Sequence, residues 1–314
     1  MGLTNFPNGI SSMGMPIVGG GMLTSGSVFF VHSGTGSDGN SGEDTDHPLA
    51  TVDAAINKCT ANKGDVIFAM PGHSETATTA ALFDADIAGI SIIGLGNGND
   101  RPLFTLGTST GADIDLNADG VLVRNLRFDF TGIDAIAAGL DVDGANITIE
   151  ECDILMADTA QATMGVDVGG SSHGFTFRRN IVHANTAGAN SAIRLGACAT
   201  AIAASNDVLI EGNTFDGDFA VACIENTDGT TQIAHLRTMV RDNVIVSANA
   251  DEPFVSFGVS GSGHTGTIIN NYVSLPGTSA ALLVTHKGDC RAFQNYVSTF
   301  ITLGAIVSPA AAMS

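Results

Sequence analysis

The sequence predicts an all-β solenoid for three reasons: a motif repeats along the chain, the composition favours strands, and apolar residues occupy every second position within each repeat. The repeat begins with GVLVRNLRF at 120–128 and returns at intervals of 27, 28, 33, 30, 28 and 24 residues. A unit repeated every 20 to 50 residues or so is typical of solenoids, in which each repeat packs on its neighbours. The composition of 39 glycines with short runs of Val, Ile and Thr favours strands and turns over helices. The aligned residues are Asn125, Cys152, Asn180, Asn213, Asn243, Asn271 and Asn295.

The alternation lies within each repeat, where every second residue is apolar and is predicted to point inward. One such column, just after the aligned position, is Phe128, Ile154, Val182, Phe215, Ile245, Val273 and Val297. An asparagine at a turn tolerates a left-handed backbone and passes amide hydrogen bonds to the next coil, which predicts an asparagine ladder. Cys152 interrupts the ladder, and this favours a structural column over a catalytic one.

Residues 1–26 contain Pro, Gly and Met and show neither the period of 2 of a strand nor the period of 3.6 of a helix, so we predict an extended N-terminal arm outside the core. A disordered tail is the alternative. Six apolar side chains favour an arm that docks on another surface. They are Phe6, Ile10, Met13, Met15, Ile17 and Val18.

The next segment reads as a strand at 28–32, a Gly/Ser/Asp loop, a short helix at about 51–59 and a strand at 65–69. It resembles the opening of right-handed parallel β-helix proteins of the pectin-lyase-like superfamily. The matching residues are Gly36, Ser37, Asp38, Asn40, Gly42, Pro48, Thr51, Ala54, Ala55, Ile56, Gly64, Asp65, Val66, Pro71, Gly72 and Glu75. The resemblance implies a single right-handed parallel β-helix whose short helix caps its N-terminal end. We predict an arm at 1–26, a strand, capping helix and first coil at 27–80, and the β-helix body with a C-terminal tail at 81–314.

The charge excludes several classes of partner. Twelve basic against 32 acidic residues give a formal charge of −20, which repels phosphate backbones and anionic membrane surfaces. No apolar run approaches membrane length, and the first basic residue is Lys58, so we expect neither a membrane span nor a secretory signal. Five scattered cysteines indicate reduced thiols in a cytoplasm, and no metal or cofactor pattern is present. They are Cys59, Cys152, Cys198, Cys223 and Cys290.

Opposite charges alternate at one outward position of the repeat, which reads Glu150, Arg178, Glu211 and Arg241. Neighbouring rungs lie about 4.8 Å apart, so these side chains are predicted to form ion pairs between rungs. The alternative is that the tandem Arg178 and Arg179 form an anion clamp or the basic group of a lyase.

Aspartates occupy the outward position of a second strand in three consecutive repeats: Asp115, Asp141 and Asp167, followed by Arg194. Carboxylates stacked this closely must repel, raise one another's pKa or share a cation. Three interpretations stay open: a solvated face relieved by Arg124, Arg127 or Arg194, a cation site, and a catalytic pair. Glycosidases use two carboxylates on one sugar bond. The pectate lyases that the fold resembles use Ca²⁺ with an arginine.

The composition weighs against saccharide binding. Sugar grooves usually present aromatic faces, whereas the chain has no Trp and only Tyr272 and Tyr296, each directly after an aligned asparagine. The histidines form no metal-binding pattern, and His73 and His264 are predicted to be surface loop residues.

The opening at 4–20, TNFPNGISSMGMPIVGG, followed by a β-helix is similar to proteins encoded with tailed-phage virion genes. This resemblance implies that the arm docks on the capsid shell or a neighbouring virion protein and that the chain forms a homotrimer. The first hypothesis is therefore a non-enzymatic decoration or cement protein, assembled in the host cytoplasm and bound to the major capsid protein. The alternative is a tailspike-like polysaccharide lyase or glycoside hydrolase that acts on a host surface glycan through the aspartate column. A third is an adhesin that binds such a glycan without cleaving it.

Overall fold

The chain folds as a right-handed parallel β-helix, which confirms the predicted fold class. The described strands form three lateral sheets of ten, nine and seven strands, and every pairing within these sheets is parallel between consecutive coils. The computed structural model describes residues 10–12, 15–18, 22–77, 81–107, 110–132, 136–156, 162–170, 172–184, 189–195, 204–226, 235–246, 253–257, 264–275, 284–286 and 290–299.

The strands of the three lateral sheets follow chain order. The first sheet contains Val28–Val31, Val66–Ala69, Ser91–Gly94, Leu122–Arg124, Thr148–Glu150, Thr176–Arg178, Leu209–Glu211, Thr238–Arg241, Gly266–Ile269 and Arg291–Phe293. The second contains Ser74–Ala77, Leu103–Leu106, Arg127–Asp129, Asp153–Leu155, Ile181–Ala184, Thr214–Gly217, Val244–Val246, Tyr272–Leu275 and Tyr296–Thr299. The third contains Ile114–Leu116, Ile136–Val142, Ala162–Val168, Ser191–Leu195, Ile224–Glu225, Val255–Ser256 and Val284–His286.

The core is a stack of inward side chains along the helix axis. The predicted column from Phe128 to Val273 is in register from coil to coil and buried. Val297 continues the register. Rings from successive coils pack at centroid distances of 5.9 Å for Phe104 and Phe128 and 6.5 Å for Phe177 and Phe215. Such contacts add to the apolar area buried by each coil.

The asparagine ladder is confirmed, with one correction of register. Asn213, Asn243 and Asn271 each donate a side-chain N–H to the amide oxygen of the next ladder asparagine at 2.9 Å. Asn125 does not belong to this ladder, because Arg124 pairs with Glu150 and the residue level with Cys152 is therefore Leu126.

Asn125 lies instead at the left-handed turn position just before the ladder. Its φ is 57°, and the equivalent residues Glu151, Arg179 and Asn270 have φ values of 57°, 54° and 56°. The ladder asparagines are not among the residues with positive φ. The predicted turn and the predicted ladder are thus two adjacent columns, each of which favours asparagine for its own reason.

The predicted inter-rung ion pairs form on the first sheet. Glu150 is 4% exposed and accepts from Arg178 Nε at 2.5 Å and from Arg179 Nη2 at 2.8 Å. Arg124 Nε lies 2.7 Å from Glu151 Oε2. Both tandem arginines are therefore partners of glutamates, as the first interpretation expected. Glu150 differs from the expectation in being buried, since three guanidinium groups cover it.

A short helix, Val52–Ile56, follows the terminal strand of the first sheet. The Thr51 hydroxyl accepts from Ala54 N at its N-terminus, and Val52, Ala55 and Ile56 join the main core. A one-turn 3₁₀ helix spans Gly98–Asp100. None of the helices in the described ranges is long and apolar enough to cross a membrane.

His73 is not a surface residue, contrary to the prediction. It is 1% exposed, its Nδ1 accepts from Ser33 N at 3.0 Å, and its Nε2 lies 2.8 Å from Glu75 Oε1. The same Glu75 oxygen accepts from Val52 N at 2.8 Å. His73 therefore helps to fasten the helix to the first coil.

The N-terminal segment contains a small antiparallel sheet of Ile10–Ser12, Met15–Val18 and Met22–Leu23. Phe6 and Met13 of the predicted arm lie outside the described residues. A role of residues 1–26 in docking stays a prediction.

Candidate functional site

The predicted aspartate column lies on the outer face of the third sheet. Asp115 pairs in register with Asp141, and Asp141 with Asp167. Asp84 forms an isolated bridge to Asp115, so a fourth carboxylate precedes the column. The residues on either side of each aspartate, such as Leu140 and Val142, are fully buried. Strand alternation therefore fixes the aspartates outward, one above another at a spacing of about 4.8 Å.

Arg194 closes the column at its C-terminal end. It pairs in register with Asp167, and its Nε and Nη2 donate to the two carboxylate oxygens of Asp167 at 3.0 and 2.5 Å. Asp167 itself is 8% exposed. Of the three arginines proposed to relieve the column, Arg194 is the one that contacts it, since Arg124 pairs on the first sheet and Arg127 lies on the second.

Burial and mutual repulsion raise the pKa of the carboxyls in this column. Burial raises the pKa of Asp141 to about 7, helped by Asp143, Asp167 and Asp115. Burial and the charges of Asp113, Asp84 and Asp143 raise the pKa of Asp115 to about 6. For Asp167, burial raises the pKa and outweighs the opposing effect of Arg194.

This arrangement provides a proton donor beside a proton acceptor near neutral pH. Two adjacent carboxyls whose pKa values are raised to about 7 and about 6 can share a proton near neutral pH, so that one donates and the other accepts. Two carboxyls with separated pKa values are what acid–base cleavage of a glycosidic bond requires. Within the described residues, no group of three or more His, Cys, Asp or Glu side chains is arranged to hold a metal ion.

A second concave feature, on the second sheet, was not found by sequence reasoning. It is a pocket of about 200 Å³ whose polar lining includes Arg127, Asp153 and His183. Its residues come from four coils and match no sequence motif. The signal that was available is the repeat itself, because Asp129, Leu155 and His183 occupy one column of the aligned repeats.

His264 is buried and not on the surface, contrary to the prediction. It is 2% exposed and stacks on His235 at 5.3 Å with an interplanar angle of 5°. Its Nδ1 accepts from His235 N at 3.0 Å, which makes the pair part of the coil-to-coil bonding. Burial, followed by the charge of His235, lowers the pKa of His264 to about 4.

None of the cysteines that the structure describes is joined in a disulfide. Cys152, Cys223 and Cys290 are buried and Cys59 is partly exposed. Cys198 lies outside the described residues. Burial raises the pKa of Cys152 to about 12, so this thiol is not an activated nucleophile.

Comparison with known proteins shows similarity of fold. No protein-family model matches the chain, and no curated protein matches it significantly. Solved structures that match include a rhamnogalacturonan lyase, with 13% identity, a TM-score of 0.43, and coverage of 79% of this chain and 74% of that one. A double mutant of the tailspike protein of E. coli bacteriophage HK620 matches with 14% identity, a TM-score of 0.48, and coverage of 80% and 47%. Pectate lyase Pel9A matches with 13% identity, a TM-score of 0.46, and coverage of 88% and 77%. The chain thus spans about half the length of the tailspike chain.

Proposed function

We propose that this chain is a glycoside hydrolase that cleaves a host-surface polysaccharide on the outer face of its third sheet. The observation that supports the proposal is the in-register pair Asp115 and Asp141, whose pKa values are raised to about 6 and about 7. In an ordinary column of surface residues, basic side chains are expected to alternate with the acidic ones, as they do on the first sheet. Here the like charges stay adjacent on the outward face of the sheet.

In this proposal each carboxyl has its own role. Protonated Asp141 donates its proton to the glycosidic oxygen while the Asp115 carboxylate attacks the anomeric carbon, so the C–O bond to the leaving group breaks. Asp141, now ionised, takes a proton from water, and the oxygen of that water attacks the same carbon and releases Asp115. Carboxyl groups about 5 Å apart act in this way with retention of configuration, and the two strands that carry Asp115 and Asp141 are neighbours about 4.8 Å apart.

Asp167 acts as a positioning residue in this scheme. Arg194 fixes its carboxylate with two hydrogen bonds. Burial is the main cause of the raised pKa of Asp141, and Asp143 and Asp167 add to it, Asp167 from the neighbouring coil.

The test is depolymerisation of polysaccharides purified from candidate hosts, followed by reducing-end release and by NMR of the newly formed anomer. We expect Asp141→Asn and Asp115→Asn each to lower the rate by about 10²- to 10⁴-fold, the range that a positioned acid or base contributes. Asp46→Asn is the matched control, because Asp46 is an exposed aspartate in a loop. Wild-type rates in both site variants, or no cleavage by the wild type across the panel, would refute the proposal.

A second candidate function is decoration of a tailed-phage capsid, and the apolar arm favours it. Residues 1–26 carry Phe6, Ile10, Met13, Met15, Ile17 and Val18 ahead of the β-helix. Docking of this segment on the major capsid protein would bury apolar surface and stabilise the shell by mass action. Three copies around a local three-fold axis would cover one another's sheet faces.

Deletion of residues 1–26 separates the two functions. If the arm docks, the truncated protein keeps the far-ultraviolet spectrum of the β-helix and no longer binds purified capsids. Equal occupancy of full-length and truncated protein on capsids would contradict decoration, and sedimentation of the free protein tests the trimer. Cleavage of polysaccharide by the truncated protein is expected to be unchanged.

A further inference from the structure

The outer face of the second sheet displays two adjacent columns of side chains that run the length of the β-helix. The first column is Leu103, Arg127, Asp153, Ile181, Thr214, Val244, Tyr272 and Tyr296. The second is Thr105, Asp129, Leu155, His183, Asp216, Val246 and Ser274. The character of the face changes along the axis, from charged at its N-terminal end to apolar and aromatic at its C-terminal end.

The charged end contains the pocket of about 200 Å³. Asp153 Oδ2 accepts from Arg101 Nη2 at 3.0 Å, and His183 Nε2 lies 3.7 Å from Asp153 Oδ1. Within the described part of the chain, Arg127 has neither an ion pair nor a side-chain hydrogen bond. The pocket therefore offers free donors on Arg127, and its wall is made apolar by Leu103 and Leu155.

The apolar end exposes several large side chains on successive rungs. Tyr272 and Tyr296 pair in register and are 44% and 45% exposed, and Val244 and Ile181 continue the column at 39% and 40%. We call these two tyrosines, which occupy the same position on consecutive rungs, the platform; each offers an aromatic face and a hydroxyl group. Asp153 and Tyr272 are four strands apart, which places the platform about 19 Å from the pocket.

The chemistry of both ends points to one kind of occupant. Hydroxyl groups donate to carboxylates such as Asp129 and Asp153 and accept from a guanidinium such as Arg127, so a mixed set of this kind suits a polyol. Tyrosine faces suit the C–H faces of sugar rings. A polyanion is disfavoured by the formal charge of −20. We propose that this face binds a linear, neutral glycan, with one sugar unit in the Arg127 pocket and later units on the Tyr272 and Tyr296 platform.

This face is a binding surface separate from the aspartate column, which lies on the third sheet. It holds the polymer without reacting with it, and it does not depend on hydrolysis at Asp141. Loss of binding here and loss of cleavage there are distinguishable, because the first is measured as affinity and the second as rate.

The chain supplies its own optical probe of this face. It has no tryptophan and its two tyrosines are both on the platform, so tyrosine fluorescence reports on this face alone. We expect neutral dextran, mannan or galactan oligosaccharides of six or so units to change this fluorescence with saturation, and oligogalacturonate to have little effect.

Affinity for the best neutral oligosaccharide is then measured by calorimetry on variants. Tyr272→Ala with Tyr296→Ala is expected to weaken binding about tenfold or more, whereas the paired Phe substitutions keep most of the affinity. Arg127→Ala is expected to weaken it as well. Phe293→Ala is the matched control, because Phe293 is an aromatic residue 39% exposed on the first sheet.

Three results would overturn the proposal. The first is absence of a fluorescence change with every neutral oligosaccharide, and the second is equal affinity of the double alanine variant and the wild type. The third is a self-associating wild type whose oligomer dissociates in the double alanine variant, because a second copy of the chain would then occupy the face. Thermal unfolding of each variant confirms that the β-helix is intact.

Discussion

Replacing Asp141 with Asn should make the protein more stable at alkaline pH. Asparagine has the shape of a protonated aspartate and cannot ionise. In the wild type the pKa of Asp141 is raised from 3.8 to about 7, chiefly by burial. Because the folded state holds the proton more tightly than the unfolded chain, this carboxyl lowers stability progressively as the pH rises from about 4 to about 7, and no further above that.

The size of the effect follows from the same values. The difference between about 7 and 3.8 corresponds to about 4 kcal/mol at most, and partial exposure of the carboxyl reduces the expectation to about 2 kcal/mol. We expect Asp141→Asn to raise the urea midpoint at pH 8 and to leave it nearly unchanged at pH 4, as measured by circular dichroism. Asp46→Asn should change neither. A variant less stable than the wild type at pH 8, or a gain of equal size at both pH values, would refute the reasoning.

The remaining predictions concern the coil-to-coil bonding. Asn243→Ala removes the amide that accepts from Asn213 N at 3.0 Å and donates to Ile210 O at 3.1 Å. We expect the free energy of unfolding, measured in urea, to fall by about 3 kcal/mol. Asn117→Ala, at an exposed amide, is the control, and an equally small loss in both variants would contradict the stabilising role of the ladder. The lowered pKa of His264 means that stability is lost as the pH falls from about 6.5 towards 4, and His264→Phe should flatten that loss in thermal melts. An unchanged pH dependence in His264→Phe would show that the buried imidazole is not responsible.

The fold could be predicted from the sequence because each coil repeats the same physical requirements. Inward residues such as Phe128 and Phe215 must be apolar in every coil, and this periodicity is visible in the letters alone. The sequence alone did not determine which asparagine of each coil belongs to the ladder. Asn125 at the left-handed turn and Asn243 in the ladder are the same residue type selected by different causes, and only the strand pairing distinguishes them.

The sites divide in the same way. Asp115, Asp141 and Asp167 were found because equal spacing and equal chemistry coincide. The pocket around Arg127 and His183 was missed because its chemistry changes from coil to coil, so that only the column position is shared. The burial of a loop histidine depends on how the neighbouring coil covers it, which local sequence does not encode.

Two columns of charged side chains in this protein have the same spacing between rungs but opposite charge patterns. One alternates acidic and basic residues, and the other stacks acidic residues on one another. On the first sheet, Glu150 alternates with arginines at contact distance, so the charges neutralise one another between rungs. On the third sheet the same spacing holds Asp115 against Asp141, and the first guanidinium in register is three rungs beyond Asp115, on Arg194.

A single arginine at position 141 would neutralise the aspartates on the neighbouring rungs, as the arginines of the first sheet neutralise Glu150. The folded state instead retains two carboxyls whose ionisation it opposes. Residues that lower stability without a structural return are typical of sites kept for activity. A stabilising Asp141→Asn that also abolishes cleavage would therefore connect the energetic cost to the chemistry in one variant.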